Sequence, residues 1–144
     1  MGVSMFEKLL ELRNNSYSKL SGYKVACIIK MNDDKEYNGV NIENPSFKDG
    51  MCAEQVAIGS AISDGYKKGD IKEMYLLGSS NKSITPCFLC RQLITEFMTN
   101  DTLIITYDKT GKETKYKVSE LCPNAFGSDD LNDKWIKKFI KKFL

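Results

Sequence analysis

Apolar residues recur at helix or strand spacing through most of the chain, and the two spacings alternate. A helical stripe of Phe and Leu covers residues 6–12, and residues 52–63 form a second helical segment rich in small and apolar side chains. Pro86 opens a third helix that ends near Met98. The β-prone runs predict strands at 23–31, 36–43, 74–77, 102–107 and 114–118. This alternation favours an α/β fold, a three-layer α/β/α sandwich with a five-stranded mixed sheet.

The end of the chain, residues 130–144, predicts a separate amphipathic helix. Lysines fill one of its faces. The apolar residues that form the opposite face are Trp135, Ile136, Phe139, Ile140, Phe143 and Leu144. A basic helix of this kind can lie on an anionic membrane. Packing on the domain or across a subunit interface is the commoner outcome, and it is the one we expect.

Length, charge and cysteine usage narrow the class of protein. A chain of 144 residues predicts one domain over 1–144, and residues 1–4, ahead of a second methionine, are typical of a cloning remnant. The net charge of +2 disfavours a nucleic-acid partner, and no apolar run approaches the roughly 20 residues that span a bilayer. Five cysteines do not make a paired disulfide framework, and the first residues lack a signal peptide's apolar core. We therefore expect a cytoplasmic protein without a membrane or nucleic-acid partner.

The chemistry that the sequence supports centres on three cysteines. The chain has no histidine, so imidazole bases and His metal ligands are excluded within it. Cys87 and Cys90 stand at i and i+3 of a helix start, on one face, and Cys52 begins the other central helix. If the two helix starts meet, three thiolates converge on one ion, zinc, and three ligands leave a position for water, as in catalytic sites. Glu54 is placed to exchange protons with that water.

Each of these residues also has an ordinary structural interpretation. A single Cys-x-x-Cys is more often a structural zinc or redox site, and a lone Glu is usually a solvated helix residue. The third cysteine and the adjacent Glu54 favour catalysis here. Cys27, in an apolar strand, and Cys122, in a Leu-Cys-Pro turn, are expected to be small buried hydrophobic residues.

Four separated motifs occur in an order known from one enzyme family. They are 39–44 (Gly-Val-Asn-Ile-Glu-Asn), 52–54 (Cys-Ala-Glu), 86–92 (Pro-Cys-x-x-Cys-Arg-Gln) and a last segment within 121–131. On these motifs the chain resembles the small homotetrameric cytidine deaminases of nucleoside salvage, from about residue 6 to residue 131. A small insertion around residues 20–22 interrupts the match. The resemblance implies a homotetramer that deaminates cytidine and deoxycytidine.

The resemblance implies a role for each residue of the cysteine motifs. Cys52, Cys87 and Cys90 would hold one Zn²⁺ per subunit. Glu54 would take a proton from water and deliver protons to N3 of the ring and then to the leaving amine. Uridine and ammonia would be the products.

The resemblance also implies which residues contact the nucleoside. Asn41 and Glu43 would hold the ribose hydroxyls, and the backbone of Ala53 would read the base. Tyr23 stands where the family usually has a Phe that stacks on the pyrimidine. Phe126 would reach into a neighbour's site in the tetramer.

The chain departs from the family at several positions beside the cysteines. Gln55 replaces the usual Arg, whose charge offsets the −1 of three thiolates with Zn²⁺. Either the two helix dipoles suffice, or a second cation such as Arg91 contributes, or activity is reduced. Phe88 and Leu89 replace the small residues usual between the paired cysteines, and Phe88 would narrow or reshape the pocket.

Three alternatives to cytidine deamination remain open at this point. The first is a deaminase of another aminopyrimidine nucleoside, such as blasticidin S. The second is a non-catalytic binding protein stabilised by zinc, which would bind the metal without turning over any nucleoside. Nucleic-acid editing is a poorer third, because neither a basic groove nor an aromatic single-strand platform is evident.

Overall fold

The computed structural model describes residues 2–131 and 134–143, and within the second segment only the side chains of 138–142. The helices are α1 (Met5–Arg13), α2 (Ala53–Ser63), α3 (Phe88–Phe97), α4 (Val118–Leu121) and α5 (Lys134–Phe143). The strands are β1 (Ala26–Met31), β2 (Glu36–Val40), β3 (Ile71–Leu77), β4 (Leu103–Tyr107) and β5 (Glu113–Lys117). Each predicted helix and strand is present with boundaries shifted by a few residues, and α4 was not predicted.

The strands form one mixed sheet in the order β2-β1-β3-β4-β5. β3 and β4 run parallel, and the other neighbouring pairs are antiparallel. A parallel pair needs a crossover connection, which α3 supplies between β3 and β4. The predicted five-stranded mixed sheet is confirmed.

Helices cover both faces of the sheet, as the alternation of side chains along β1 shows. Cys27 and Ile29 belong to the core that α2 and α3 cover, whereas Ile28 packs in the core under α1 with Leu9. Successive strand residues point to opposite faces, so one strand contributes to both layers. The three-layer arrangement is confirmed, and Cys27 is the fully buried hydrophobic residue that was expected.

The first turn of α2 lies directly against β2, and a glycine makes this approach possible. A Cβ atom on Gly39 would stand 2.0 Å from the carbonyl oxygen of Ala53 and 2.6 Å from the backbone nitrogen of Ala57. Only a residue without a side chain fits there. The glycine therefore fixes where α2 begins, and with it the position of Cys52.

The two ends of the chain bear on the remaining expectations. Ser4 is the N-cap of α1, where its hydroxyl and Glu7 form a capping box, so residue 4 belongs to the fold.

Phe139 and Ile140 of α5 are each 51% exposed. The side chains of Trp135, Ile136, Phe143 and Leu144, on which the predicted apolar face also depends, lie outside the described residues. In the part of the chain that the structure describes, no helix is long and apolar enough to cross a membrane.

Candidate active site

Three sulfur atoms converge where the starts of α2 and α3 meet. Cys52 is the N-cap of α2, Cys87 is the N-cap of α3, and Cys90 lies in the first turn of α3. The sulfurs of Cys52 and Cys87 are 3.9 Å apart, and all three lie within 4.8 Å of one another. Tetrahedral zinc with Zn–S bonds of about 2.3 Å separates its sulfurs by roughly 3.8 Å, so the donor set fits this metal. Among the described residues this is the one His, Cys, Asp or Glu cluster with metal-ligand spacing.

The surroundings of the cluster favour thiolates. The N-termini of two helices point at the sulfurs, and the partial positive charge there stabilises anions. A hydrogen bond with Cys90 lowers the pKa of Cys52 to about 7. The same bond, together with burial, raises the pKa of Cys90. One thiolate is therefore available near neutral pH, and a bound cation would draw the protons from the others.

Glu54 lies in the first turn of α2, beside the cluster, and is only 5% exposed. Desolvation raises the pKa of its carboxyl, and a hydrogen bond with Cys90 opposes that rise. A buried carboxyl beside a cluster of this kind is a candidate for proton transfer.

Gln55, which replaces the family's usual Arg, and Arg91, the cation expected to contribute in its place, both form hydrogen bonds with groups other than the sulfurs. The side-chain oxygen of Gln55 accepts from the backbone N–H of Cys52 at 2.8 Å and so caps α2. The guanidinium of Arg91 donates to the carbonyl oxygens of Pro86 and Leu121, both at 2.8 Å, and to the hydroxyl of Thr85 at 2.9 Å. Arg91 thus fastens the turn before α3 to α4.

Phe88 and Leu89 project from the start of α3 into solvent. They are 80% and 66% exposed, and the Arg91 guanidinium lies 4.5 Å from the centre of the Phe88 ring. Cys122 is half-buried, with its sulfur 3.8 Å from the carbonyl oxygen of Arg91. It is not part of the three-sulfur cluster.

The expected sugar-binding residues lie on the segment that leads from β2 to α2. The side-chain oxygen of Asn41 accepts from the Ser16 hydroxyl at 2.5 Å and the Val25 N–H at 2.9 Å, and its amide donates to the Tyr23 carbonyl at 2.8 Å. Asn41 therefore ties the loop before β1 to the end of β2. Glu43 is bound by the same loop.

The three remaining candidates lie in different environments. Ala53 is fully buried, with its carbonyl against Gly39. The Tyr23 hydroxyl lies 2.9 Å from the Ser80 hydroxyl, and its ring is partly exposed. Phe126 is 56% exposed, and its carbonyl accepts from Gln92 at 2.8 Å. The insertion at 20–22 supplies the donors that hold Glu43, a role that no local feature of the sequence indicates.

Comparison with known proteins gives a consistent result. The model of the "Cytidine and deoxycytidylate deaminase zinc-binding region" matches residues 3–106. A cytidine deaminase from Mycoplasma genitalium is 35% identical over 122 residues, which cover 85% of this chain and 92% of that protein. One from Halalkalibacterium halodurans is 30% identical over 129 residues, covering 90% and 96%. The crystal structure of cytidine deaminase from Burkholderia pseudomallei is similar with a TM-score of 0.81 at 28% identity, over 86% of this chain and 100% of that one.

Proposed function

Because the chain belongs to the cytidine and deoxycytidylate deaminase family, we propose that it hydrolyses cytidine and deoxycytidine to uridine and deoxyuridine with release of ammonia. The observation that carries this proposal is a cluster of three sulfurs, with no fourth His, Cys, Asp or Glu ligand among the described residues, beside the buried carboxyl of Glu54. A structural zinc site has four protein ligands, whereas a catalytic one keeps a position open. A purely structural zinc site is therefore disfavoured.

The three cysteines would hold one Zn²⁺ per subunit. Zinc in such a site supplies the Lewis acidity that makes a water acidic enough to attack C4 of the cytosine ring. Glu54 accepts the proton of that water and passes it to N3. It then carries a second proton to the amine at C4, so that ammonia rather than an amide ion leaves. Its burial keeps water from competing for these protons.

Recognition of the nucleoside falls to residues around this centre. Asn41 and Glu43 would bind the sugar hydroxyls, and the backbone of Ala53 at the start of α2 would contact the base. Tyr23 would stack on the pyrimidine. The relatives compared above are named cytidine deaminases, which does not favour the blasticidin-type alternative.

A homotetramer in which neighbouring subunits complete each site is supported by the family and by three exposed phenylalanines that an interface could bury. Phe47, Phe88 and Phe126 are 84%, 80% and 56% exposed, and burying such side chains between subunits is favourable. Phe126 would enter a neighbour's site, and α5 would pack at an interface. Removing residues 130–144 and measuring the mass in solution tests the role of α5. A truncated protein that remains tetrameric, together with lost binding to anionic liposomes, contradicts the interface role and favours a membrane role.

Ultraviolet absorbance after cytidine is added to the zinc-loaded protein tests the activity directly. Conversion to uridine lowers the absorbance of the ring, and ammonia should appear in equal amount. Deoxycytidine, blasticidin S and cytidine monophosphate make up the comparison panel. Zinc binding without turnover of any of them would falsify the enzymatic proposal and favour a zinc-stabilised binding protein. Turnover of cytidine is expected of a cytoplasmic enzyme of pyrimidine salvage.

A further inference from the structure

The carboxylate of Glu43 is held in place by the loop before β1. One oxygen accepts from the backbone N–H groups of Leu20 at 3.1 Å and Ser21 at 3.0 Å. The other oxygen accepts a short hydrogen bond from the Ser21 hydroxyl. That hydroxyl oxygen in turn accepts from the Tyr23 N–H at 3.0 Å, which orients it. Three donors from one loop therefore fix a single orientation of this carboxylate.

Backbone conformation and backbone hydrogen bonds also define this loop. Gly22 has a positive φ of 70°, which favours glycine, and its N–H donates to the Ser18 carbonyl at 2.7 Å. On the other side, the Glu43 N–H donates to the Tyr17 carbonyl at 2.8 Å. The turn is thus closed on itself and attached to the segment that carries Glu43.

The charge of Glu43 follows from the same contacts. The hydroxyl of Ser21, followed by its backbone N–H, lowers the pKa of the Glu43 carboxyl. An ionised carboxylate only accepts hydrogen bonds, and it offers about four acceptor positions. The loop occupies three of them, so one position remains, on the oxygen that faces the Ser21 hydroxyl.

Asn41, two residues earlier, is similarly occupied. Its side-chain oxygen accepts two hydrogen bonds and its amide donates one, which leaves one free N–H. Glu43, and not Asn41, lines the cavity beside this segment. The single acceptor position that remains on Glu43 matches the O–H of one hydroxyl group.

The segment that carries Glu43 pairs with the residue that precedes the first cysteine of the cluster. Ile42 and Met51 exchange two backbone hydrogen bonds of 2.9 Å, and Met51 directly precedes Cys52. A cavity of about 350 Å³ opens there, lined by Leu20, Ser21, Glu43, Asn44, Phe47 and Gly50. The loop forms one wall of this cavity, so it can contact whatever Glu43 binds.

We propose that Ser21 is a positioning residue of the sugar subsite: it fixes the Glu43 carboxylate so that the site recognises one sugar hydroxyl rather than a diol. The inference rests on the proposed function, because it assigns the nucleoside sugar to this cavity. It adds a residue from the insertion, which the resemblance leaves without a role.

The test pairs a side-chain deletion with deletions in the substrate. KM and kcat are measured for cytidine, 2′-deoxycytidine and 3′-deoxycytidine with the wild type, Ser21→Ala and Ser21→Thr. The wild type should discriminate against one of the two deoxynucleosides only. Ser21→Ala should raise KM about fivefold for substrates that carry the recognised hydroxyl, leave KM unchanged for the substrate that lacks it, and leave kcat unchanged. Ser21→Thr, which keeps the hydroxyl, should restore the wild-type KM.

Ser60→Ala is the matched control, since the Ser60 hydroxyl only bonds the Val56 carbonyl of its own helix, at 2.8 Å. It should behave as the wild type with every substrate. An equal KM rise on all three nucleosides with Ser21→Ala, or no rise at all, overturns the inference, as does discrimination against both deoxynucleosides. Calorimetric binding of uridine and its two deoxy analogues provides the same comparison without turnover. Absent deamination with intact selective binding would therefore refute the proposed function and leave the role of Ser21 standing.

Discussion

Residues 41–43, the proposed sugar-side segment, pair with the residue that precedes Cys52. This segment and the cysteine cluster are nevertheless stabilised in different ways. The cluster lies at the starts of two helices that pack into the main core, and Glu54 beside it is buried. The sugar-side segment is irregular backbone tied by polar side chains: Asn41 and Glu43 bind the loop before β1 through six hydrogen bonds. Apolar packing therefore positions the cysteine cluster and Glu54, whereas hydrogen bonds position the proposed sugar-binding residues.

This difference predicts different consequences of mutation. Close packing transmits a small change in the shape of a core side chain to the sulfurs, so substitutions near the cluster should abolish metal binding or turnover. Hydrogen bonds in a partly exposed loop contribute about 1 kcal/mol each, so substitutions in the loop should weaken substrate binding and leave the rate of the chemical step unchanged. The variants below test this division.

Glu54→Gln should have the largest effect on the reaction. The amide keeps the size of the side chain but cannot accept and return a proton, so kcat should fall by about two to four orders of magnitude. Zinc content, measured by atomic absorption, should stay at the wild-type level because the sulfurs are untouched. Glu11→Gln, an exposed change on α1, serves as the control and should be fully active. A Glu54→Gln enzyme that makes uridine at the normal rate contradicts the role assigned to this carboxyl.

Gly39→Ala should disrupt the cluster from outside it. The new methyl group would lie 2.0 Å from the Ala53 carbonyl, so the start of α2 must move and Cys52 must move with it. Overpacking of this kind costs about 1–3 kcal/mol, and we expect a lower Tm together with loss of stoichiometric zinc.

Gly59→Ala is the matched control on the same helix. A Cβ atom at residue 59 meets nothing within 4 Å, and alanine is the better helix former, so stability should rise by about 0.5–1 kcal/mol. Normal zinc content in Gly39→Ala would show that the cluster tolerates displacement of α2, and the contrast drawn above would be wrong.

Asn41→Ala should separate recognition from chemistry. It removes the acceptor of the Ser16 hydroxyl and of the Val25 N–H, and the donor to the Tyr23 carbonyl. The free energy of unfolding should fall by about 1–3 kcal/mol and KM should rise, while zinc content stays at the wild-type level. Asn38→Ala, at an exposed position of β2, should change neither. Loss of zinc in Asn41→Ala would mean that the two regions are not independent.

The same contrast explains what could be predicted from the sequence. The helix starts that carry Cys52, Cys87 and Cys90 follow from spacing and from apolar patterning, because packed helices impose a periodicity on the chain. The mixed sheet follows from the alternation of strands and helices. Elements that are defined by packing can therefore be predicted from the amino-acid sequence alone.

The roles of Ser21 and Gly39 could not be predicted in this way. Each depends on a contact between segments that lie far apart in sequence, of Ser21 with Glu43 and of Gly39 with Ala53. Nothing in the local composition distinguishes Ser21 from an ordinary turn residue. The contact of Gln55 could not be predicted either. The resemblance points to the charge that Gln55 lacks, whereas in the structure its side-chain oxygen accepts from the Cys52 N–H.

The smallest expected effect comes from a comparison of two capping boxes, one at the start of α2, where Cys52 is the N-cap, and one at the start of α1. Gln55 accepts from the Cys52 N–H at 2.8 Å, and Ser4 caps α1 through the Glu7 N–H at 3.2 Å. Gln55→Ala and Ser4→Ala should each lower the free energy of unfolding by about 1 kcal/mol, since each removes one cap. Only Gln55→Ala should also weaken zinc retention, measured by competition with a chelator, because it alone frees the backbone at a sulfur ligand. If both variants retain zinc equally, the cap stabilises the helix without positioning Cys52, and packing at Gly39 alone sets the geometry of the cluster.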